Sequence, residues 1–446
     1  MADGQGDAAA SPRVFLFLQG PSSPLFVEIA GGLEAAGHRC IRINLNPGDW
    51  IFWRRRGAFN YRGGFAGWRS YVRRRIEADR VTDLILLGEE RPYHQVAIEE
   101  ARRRAASINV VEMGYLRPDW VTLERDGMSS NSRFPVDPLY LVQAAASLPE
   151  PDWSRRFSHS FLAEAAYDLL YNLPNAFLWF LYPGYRRHAL YHPLVEYAGW
   201  LRRLPSSGRR AREAEATIEC LITAETRFFV YPLQLQTDYQ LRSHSPFHRQ
   251  QDAIKQIMQS FAAHAAPNMH LVIKLHPLDN GLVDWRGYIH GIGARLALSS
   301  RIHFIDGGNL EKLISASQGM VTVNSTAALS ALQAERPVKA LGAAIYDIDR
   351  LTDQKPLDLF WGNPAKPLPG LRSAFLKLLA ASVQVRGNFY SRAGARAASA
   401  EIAKRLLSRS VNLPAAYIDP PPRQRPTKID IPDPKLTYPP PMGDSR

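Results

Sequence analysis

Apolar runs of four or five residues alternate with segments of helical spacing along most of the chain. VFLFL at 14–18, CIRIN at 40–44, LILL at 84–87 and NVVE at 109–112 read as buried strands, because a strand covered on both faces needs no polar alternation. Helical spacing fills 25–36 and 93–107. Strand following helix in this way predicts a doubly wound parallel sheet. Ligands of such sheets bind past the carboxyl ends of strands, which puts Gln19, Gly20 and Glu112 at one crevice. A mostly helical, aromatic-rich stretch follows at 160–203, with expected breaks at Pro174, Pro183 and Pro193. A second block then alternates again. Strands are expected at 228–231, 270–274, 302–305, 319–323 and 338–341, and helices at 250–263, 310–316, 327–334 and over 373–408.

The expected fold is therefore α/β and GT-B-like, with two Rossmann-like lobes facing a cleft. The 446 residues divide into a flexible N-terminus (1–12), an N-terminal Rossmann-like lobe (13–205), a C-terminal Rossmann-like lobe (206–410) and a Pro-rich tail (411–446). Ten prolines from Val411 onward forbid a continuing helix or central strand, so the tail reads as a polyproline-like or disordered extension. Two cysteines, Cys40 and Cys220, are too few for a disulfide scaffold or structural zinc and are expected to be buried thiols. No basic-then-apolar leader opens the sequence, and no apolar run approaches the ~20 residues of a spanning helix. A cytoplasmic protein is expected.

Fifty-five Lys+Arg against 42 Asp+Glu leave a formal charge of +13, which asks for an anionic partner. Eight arginines, eight aromatics and no acid lie between Trp50 and Ile76. Such interleaving suits an anionic membrane surface or single-stranded nucleic acid, unless the rings pack inward.

Candidate chemistry gathers at strand ends. In VIKLHP, Lys274 and His276 fall on one face at a strand's carboxyl end, a pair suited to a nucleotide phosphate. In VTVNSTAA, the strand runs through Asn324, Ser325 and Thr326 into a helix. There N–H groups and hydroxyls either hold a phosphate or simply cap the helix. In FFVYPLQLQTD, Gln234 follows the strand and Asp238 lies just past it, as general base, nucleophile or turn cap. Glu112 is the partner carboxylate from the other lobe. Arg117 offers a cation for an acidic sugar or phosphate, and His244 follows Asp238 on the same loop. Asp347 and Asp349 match a DxD spacing, which arises often by chance. No phosphate-loop, HExxH or CxxC pattern is present.

Together RVFLFLQGP, EMGYLRPDWVTLE, QLQTD, KLHP and VNSTAALSALQAERPVKALGAAIYDIDRLTD resemble capsule polysaccharide proteins of the KpsS/LipB type, and more distantly the KpsC type, across residues 13–353. The resemblance implies a retaining β-Kdo glycosyltransferase that uses CMP-Kdo, without a metal or other cofactor, and builds on (lyso)phosphatidylglycerol. It implies that the first lobe is the acceptor lobe and the second the nucleotide-sugar lobe, with Asp238 as the catalytic carboxylate and Glu112 as partner. Lys274, His276, Gln234, Asn324, Ser325 and Thr326 fall on the nucleotide-sugar side, and Gln19, Gly20, Arg117 and His244 on the acceptor or sugar side. The implied partners are the nucleotide sugar, the anionic phospholipid at the inner membrane surface, a KpsC-like enzyme and the capsule export machinery. The implied setting is cytoplasmic, peripheral at that membrane, with no nucleic acid. An export or assembly factor that binds the Kdo-lipid terminus without turnover is the alternative.

Overall fold

Every apolar run singled out above forms a strand in the computed structural model, which describes residues 12–158, 161–187 and 189–430. In the first lobe β1 (Val14–Phe17), β2 (Arg39–Asn44), β3 (Ala58–Asn60), β4 (Asp83–Leu87) and β5 (Ser107–Met113) pair in parallel in the order β3-β2-β1-β4-β5. β6 (Trp120–Arg125) adds antiparallel to β5. The second sheet takes β7 (Arg227–Pro232), β8 (Met269–Lys274), β9 (Ile302–Ile305), β10 (Gly319–Thr322) and β11 (Val338–Ala340), all parallel, in the order β9-β8-β7-β10-β11. Both sheets thus carry one winding order, and both reverse beside their first strand, at β1/β4 and β7/β10. Such reversals open the crevices in which open α/β sheets bind ligands.

The lobe boundary departs from the 206–410 expectation. β12 (Gln384–Arg386) returns to the first sheet, antiparallel to β6, and so covers an edge that would otherwise be unpaired. The following helix, Arg392–Leu407, packs Ala398, Ile402 and Leu406 into one core with Ile29 and Leu33 of the helix Leu25–Ala35. The two helices approach so closely that a Cβ on Gly32 would lie 3.1 Å from that of Ala403. The first lobe is therefore assembled from both ends of the chain.

The tail also differs from a free extension over its described part. Asn412 and Ala416 are buried, and the Tyr417 hydroxyl donates to Asp126 at 2.6 Å. Arg423 then spans both lobes. Its guanidinium donates to the carbonyls of Phe134 and Pro135 on one side, and of Ile345 (2.7 Å) and Ala344 on the other. Lys428 reaches the carbonyls of Arg242, Ser245 and Phe247. Proline removes donors but leaves side chains free to anchor an extended strap. The expectations for residues 1–11 and 431–446 lie outside the described residues.

Three smaller expectations change. The helix Phe161–Phe177 runs through Pro174, where the Leu178 N–H still donates to the Pro174 carbonyl at 2.8 Å. Cys40 is buried, and burial pushes its thiol up to about 12, but Cys220 is exposed on the helix Ser207–Thr223. The Arg/aromatic stretch packs its rings inward. Trp53, Tyr61 and Trp68 are buried, and of the eight aromatics only Trp50, at 41%, is exposed. In the helix Phe65–Ala78, Trp68, Val72 and Ile76 recur every four residues and define its core face.

Candidate active site between the lobes

Glu112 sits near the end of β5. One carboxylate oxygen accepts the Met113 N–H at 2.9 Å, and Gly88, at φ +61°, leaves room for the other. A Cβ on Gly88 would come within 3.1 Å of that oxygen. From the opposite lobe Asp238 caps the short helix Tyr239–Ser243, accepting the Gln240 N–H at 2.8 Å. The capping reading of this residue is thus realised, and only one of its two oxygens is used by the cap. The two carboxylates are near enough to interact. Burial raises the pKa of Glu112 first, and the charge of Asp238 raises it further. Burial likewise raises Asp238, against lowering contributions from the Gln240 N–H, Arg117, Arg242 and Gln234.

Arg117 is the cation common to this group. Its Nε donates to the Gly114 carbonyl at 3.3 Å, and its side chain remains open to solvent between protein walls. Burial lowers its pKa, and Asp238 and then Glu112 oppose that. His276 lies within its field too. Burial, then Arg117 and Lys274, push the imidazole down to about 4, so the ring is neutral at physiological pH. The Leu278 N–H donates to Nδ1 at 3.1 Å, which leaves the proton on Nε2. His276 is thus a neutral N–H donor. Lys274 is buried, with its pKa lowered by burial and supported by Asp306 and Glu215.

The remaining nucleotide-side candidates divide. Gln234 and Asn324 bridge the β7/β10 reversal by a reciprocal pair of bonds, 2.9 Å between side chains and 3.1 Å from the Asn324 N–H. The Asn324 amide also donates to the carbonyls of Gln240 and His244. These side chains brace the loop that carries Asp238, and their polar atoms are already committed. Ser325 accepts the Ala327 N–H at 3.2 Å, and Thr326 opens the seven-residue helix Ala327–Gln333 without a side-chain cap.

On the acceptor side, Gln19 is buried, with its amide N–H₂ toward the Tyr171 and Tyr185 hydroxyls and its Oε1 unpartnered. Gly20 is a packing position, since a Cβ there would meet the Phe26 ring at 2.6 Å. His244, expected near acceptor or sugar, is instead fully buried between the lobes. Its Nδ1 lies 2.7 Å from Ser130 Oγ, and Nε2 faces Glu90 at 3.6 Å and Glu89 at 3.9 Å. Among the described residues, Glu89, Glu90 and His244 form the one group spaced to hold a metal ion. Their carboxylates already accept from Met128 (2.8 Å), Asn131, Gln95 and Arg425, so the group works as a lock between lobes and tail. Asp347 of the DxD spacing is likewise engaged, by Thr352 and Gln354.

Sequence reading missed Glu89, Arg91 and the tail cations. Arg91 lowers the pKa of Glu112 and of the Tyr171 and Tyr185 hydroxyls, which places a second guanidinium beside the first-lobe crevice. Its signal was available, as the GEERPYH segment that directly follows β4. Two cavities lie past strand ends of the second sheet. One of about 390 Å³ runs from Phe161, Leu169 and Trp200 to Leu235 and Thr237, next to Asp238. The other, about 320 Å³, lies past the end of β11 between Leu341, Asp347 and the tail residue Arg423.

Residues 82–390 match the family model described as capsule polysaccharide biosynthesis protein. The chain is 30% identical over 393 residues to the Escherichia coli capsule polysaccharide export protein KpsS, covering 86% of this chain and all of that one. It is 30% identical over 393 residues to the capsule polysaccharide modification protein LipB of Neisseria meningitidis, covering 85% and 92%. The solved structure of Thermosulfurimonas dismutans KpsC, beta Kdo 2,7 transferase, aligns with a TM-score of 0.43 at 14% identity, over 89% of this chain and 99% of that one.

Proposed function

Because the chain belongs to the capsule polysaccharide biosynthesis protein family, we propose that it is a retaining glycosyltransferase. It moves Kdo, or a similar acidic sugar, from the CMP-activated form to a phosphatidylglycerol-type lipid in synthesis of the capsule linker. The observation that carries this reading is the meeting of Asp238 and Glu112 from opposite lobes, with Arg117 in the field of both.

The chemistry follows from that arrangement. The Asp238 oxygen not used by the cap attacks the anomeric carbon, and the bond to the CMP oxygen breaks with its electron pair. The neutral Nε2–H of His276, with Lys274 behind it, receives the charge that develops on the phosphate. The acceptor hydroxyl then displaces Asp238 while Glu112 takes its proton, and two displacements restore the starting configuration. A carboxylate with a raised pKa suits this proton transfer at neutral pH. Arg117 is the cation for the sugar's own carboxylate, and no step calls for a metal. The protein would act in the cytoplasm at the inner membrane surface, beside a KpsC-like enzyme and the export machinery. Among the described residues no helix is long and apolar enough to cross a membrane.

The test is CMP release from CMP-Kdo in the presence and absence of a phosphatidylglycerol analogue. Acceptor-dependent release with a sugar-modified lipid is expected. Retained lipid binding with no release would instead assign the export or assembly role.

A further inference from the structure

The arm between Phe161 and Leu204 carries an apolar surface that the fold does not cover. Of the 25 large apolar side chains exposed among the described residues, 14 belong to it, and 11 of these do not line the 390 Å³ cavity. Phe177, Leu178, Trp179, Phe180 and Leu181 are exposed in succession, with Trp179 at 63% and Phe180 at 57%. A contiguous patch of this kind marks an interaction surface. The tip is firmly based on the first lobe. The Tyr182 hydroxyl bonds to Asn60 Oδ1 at 2.8 Å, the Gly48 N–H donates to Asn175 at 2.8 Å, and Gly184 packs directly on Gly63 and Gly64.

Charge decides what covers it. The arm's three acids, Glu164, Asp168 and Glu196, all line the 390 Å³ cavity on its inner side, so its outer face holds none of them. Cations surround the base of the tip instead. Arg62 lies in the field of Tyr182, and Arg54 stacks on the exposed Trp50 at 5.1 Å. Arg56, Arg62, Arg73 and Arg74 are exposed and hold no ion pair among the described residues. These four of the eight arginines noticed in the sequence thus face outward without an ion pair among the described residues, and the exposed rings come from a segment more than 100 positions later.

We infer that the outer face of this arm docks on an anionic phospholipid bilayer, with Trp179 and Phe180 entering the headgroup boundary and Arg56, Arg62, Arg73 and Arg74 meeting lipid phosphates. Interfacial aromatics together with unpaired arginines match that boundary. The docked arm sets the cavity that ends at Leu235 and Thr237, next to Asp238, beside the lipid surface. In this respect the inference rests on the reading of a lipid acceptor, but docking itself needs no substrate.

The experiment is flotation of the full chain with phosphatidylcholine vesicles, with and without about 30% phosphatidylglycerol, in the absence of donor. Binding to the anionic vesicles that weakens with salt is expected. The double substitution Trp179→Ser/Phe180→Ser should weaken it at least about tenfold, and Arg62→Glu/Arg73→Glu should weaken it without changing the melting temperature. Equal binding by the aromatic double variant, or no binding by the unsubstituted protein, overturns the inference. Self-association that the same substitutions abolish also overturns it, giving the face to a second copy. Transfer to a short-chain, water-soluble acceptor separates the two readings. Transfer without docking sinks only the docking surface, and docking without transfer sinks only the enzymatic reading.

Discussion

Arg423 offers the sharpest test of how the tail joins the lobes. Its guanidinium donates to carbonyls of both, with its shortest bonds to Ile345 (2.7 Å) and Phe134. A bond from a charged donor contributes ~1.5–3 kcal/mol, so two give roughly 3–6 kcal/mol gross. Burial opposes this and pushes the guanidinium down to about 10, against support from Glu124, Tyr115 and Asp347. Methionine keeps the apolar stem but loses the fork, so a net loss of about 3 kcal/mol is expected for Arg423→Met, with Arg423→Lys retaining only part. The assay is urea denaturation followed separately by tryptophan emission and by proteolysis near residue 412. The variant should unfold at lower urea, and its tail should be cleaved while the lobes remain folded. Unfolding within about 0.5 kcal/mol of the original protein, with the tail equally protected, would refute the strap.

Further outcomes follow from the buried polar groups. Burial raises Glu124 from 4.5 to about 7, so its stability contribution is full below pH 4.5 and is lost as pH rises through about 7. Glu124→Gln fixes the neutral form and should gain on the order of 3 kcal/mol at pH 8 but little at pH 5, read from denaturation midpoints at each pH. Asn324→Ala should cost about 2–4 kcal/mol, because the Gln234 amide and the carbonyls of Gln240 and His244 lose their partner; a loss below about 0.5 kcal/mol would remove Asn324 from its bracing role. Since His276 titrates near 4, a transfer-rate profile should show no inflection from it between pH 6 and 8, and His276→Gln should keep more activity than His276→Phe.

Nine of the strands were legible because each centres on a short apolar run between polar turns; β3 (AFN), β6 (WVTLER) and β12 (QVR) carry no uninterrupted apolar run and were not. What failed was long-range. Nothing in the QVR of β12 says which sheet it joins; that depends on the open edge of β6, more than 250 residues earlier. His244 looked like a site residue because it follows Asp238. Its actual neighbours, Ser130, Glu89 and Glu90, come from the other lobe. The rings of residues 50–76 were misjudged although the four-residue recurrence of Trp68, Val72 and Ile76 was readable as a core face. The exposed apolar arm gave the opposite difficulty, since composition alone does not separate a covered helix from an uncovered one. Asp238 and Glu112 were singled out because strand ends are where such sheets place their chemistry; Asp238 follows β7 at a winding reversal, whereas Glu112 ends β5, one strand removed from the β1/β4 reversal.

The central claim is that these two carboxylates act together. Asp238→Asn tests it with little structural disturbance, because asparagine caps a helix about as well as aspartate and retains an oxygen for the Gln240 N–H. The measurement is acceptor-dependent CMP release at saturating CMP-Kdo, with folding checked by the thermal melt. The account predicts a fall of at least about a thousandfold at unchanged melting temperature. Release within a few-fold of the original protein would contradict it.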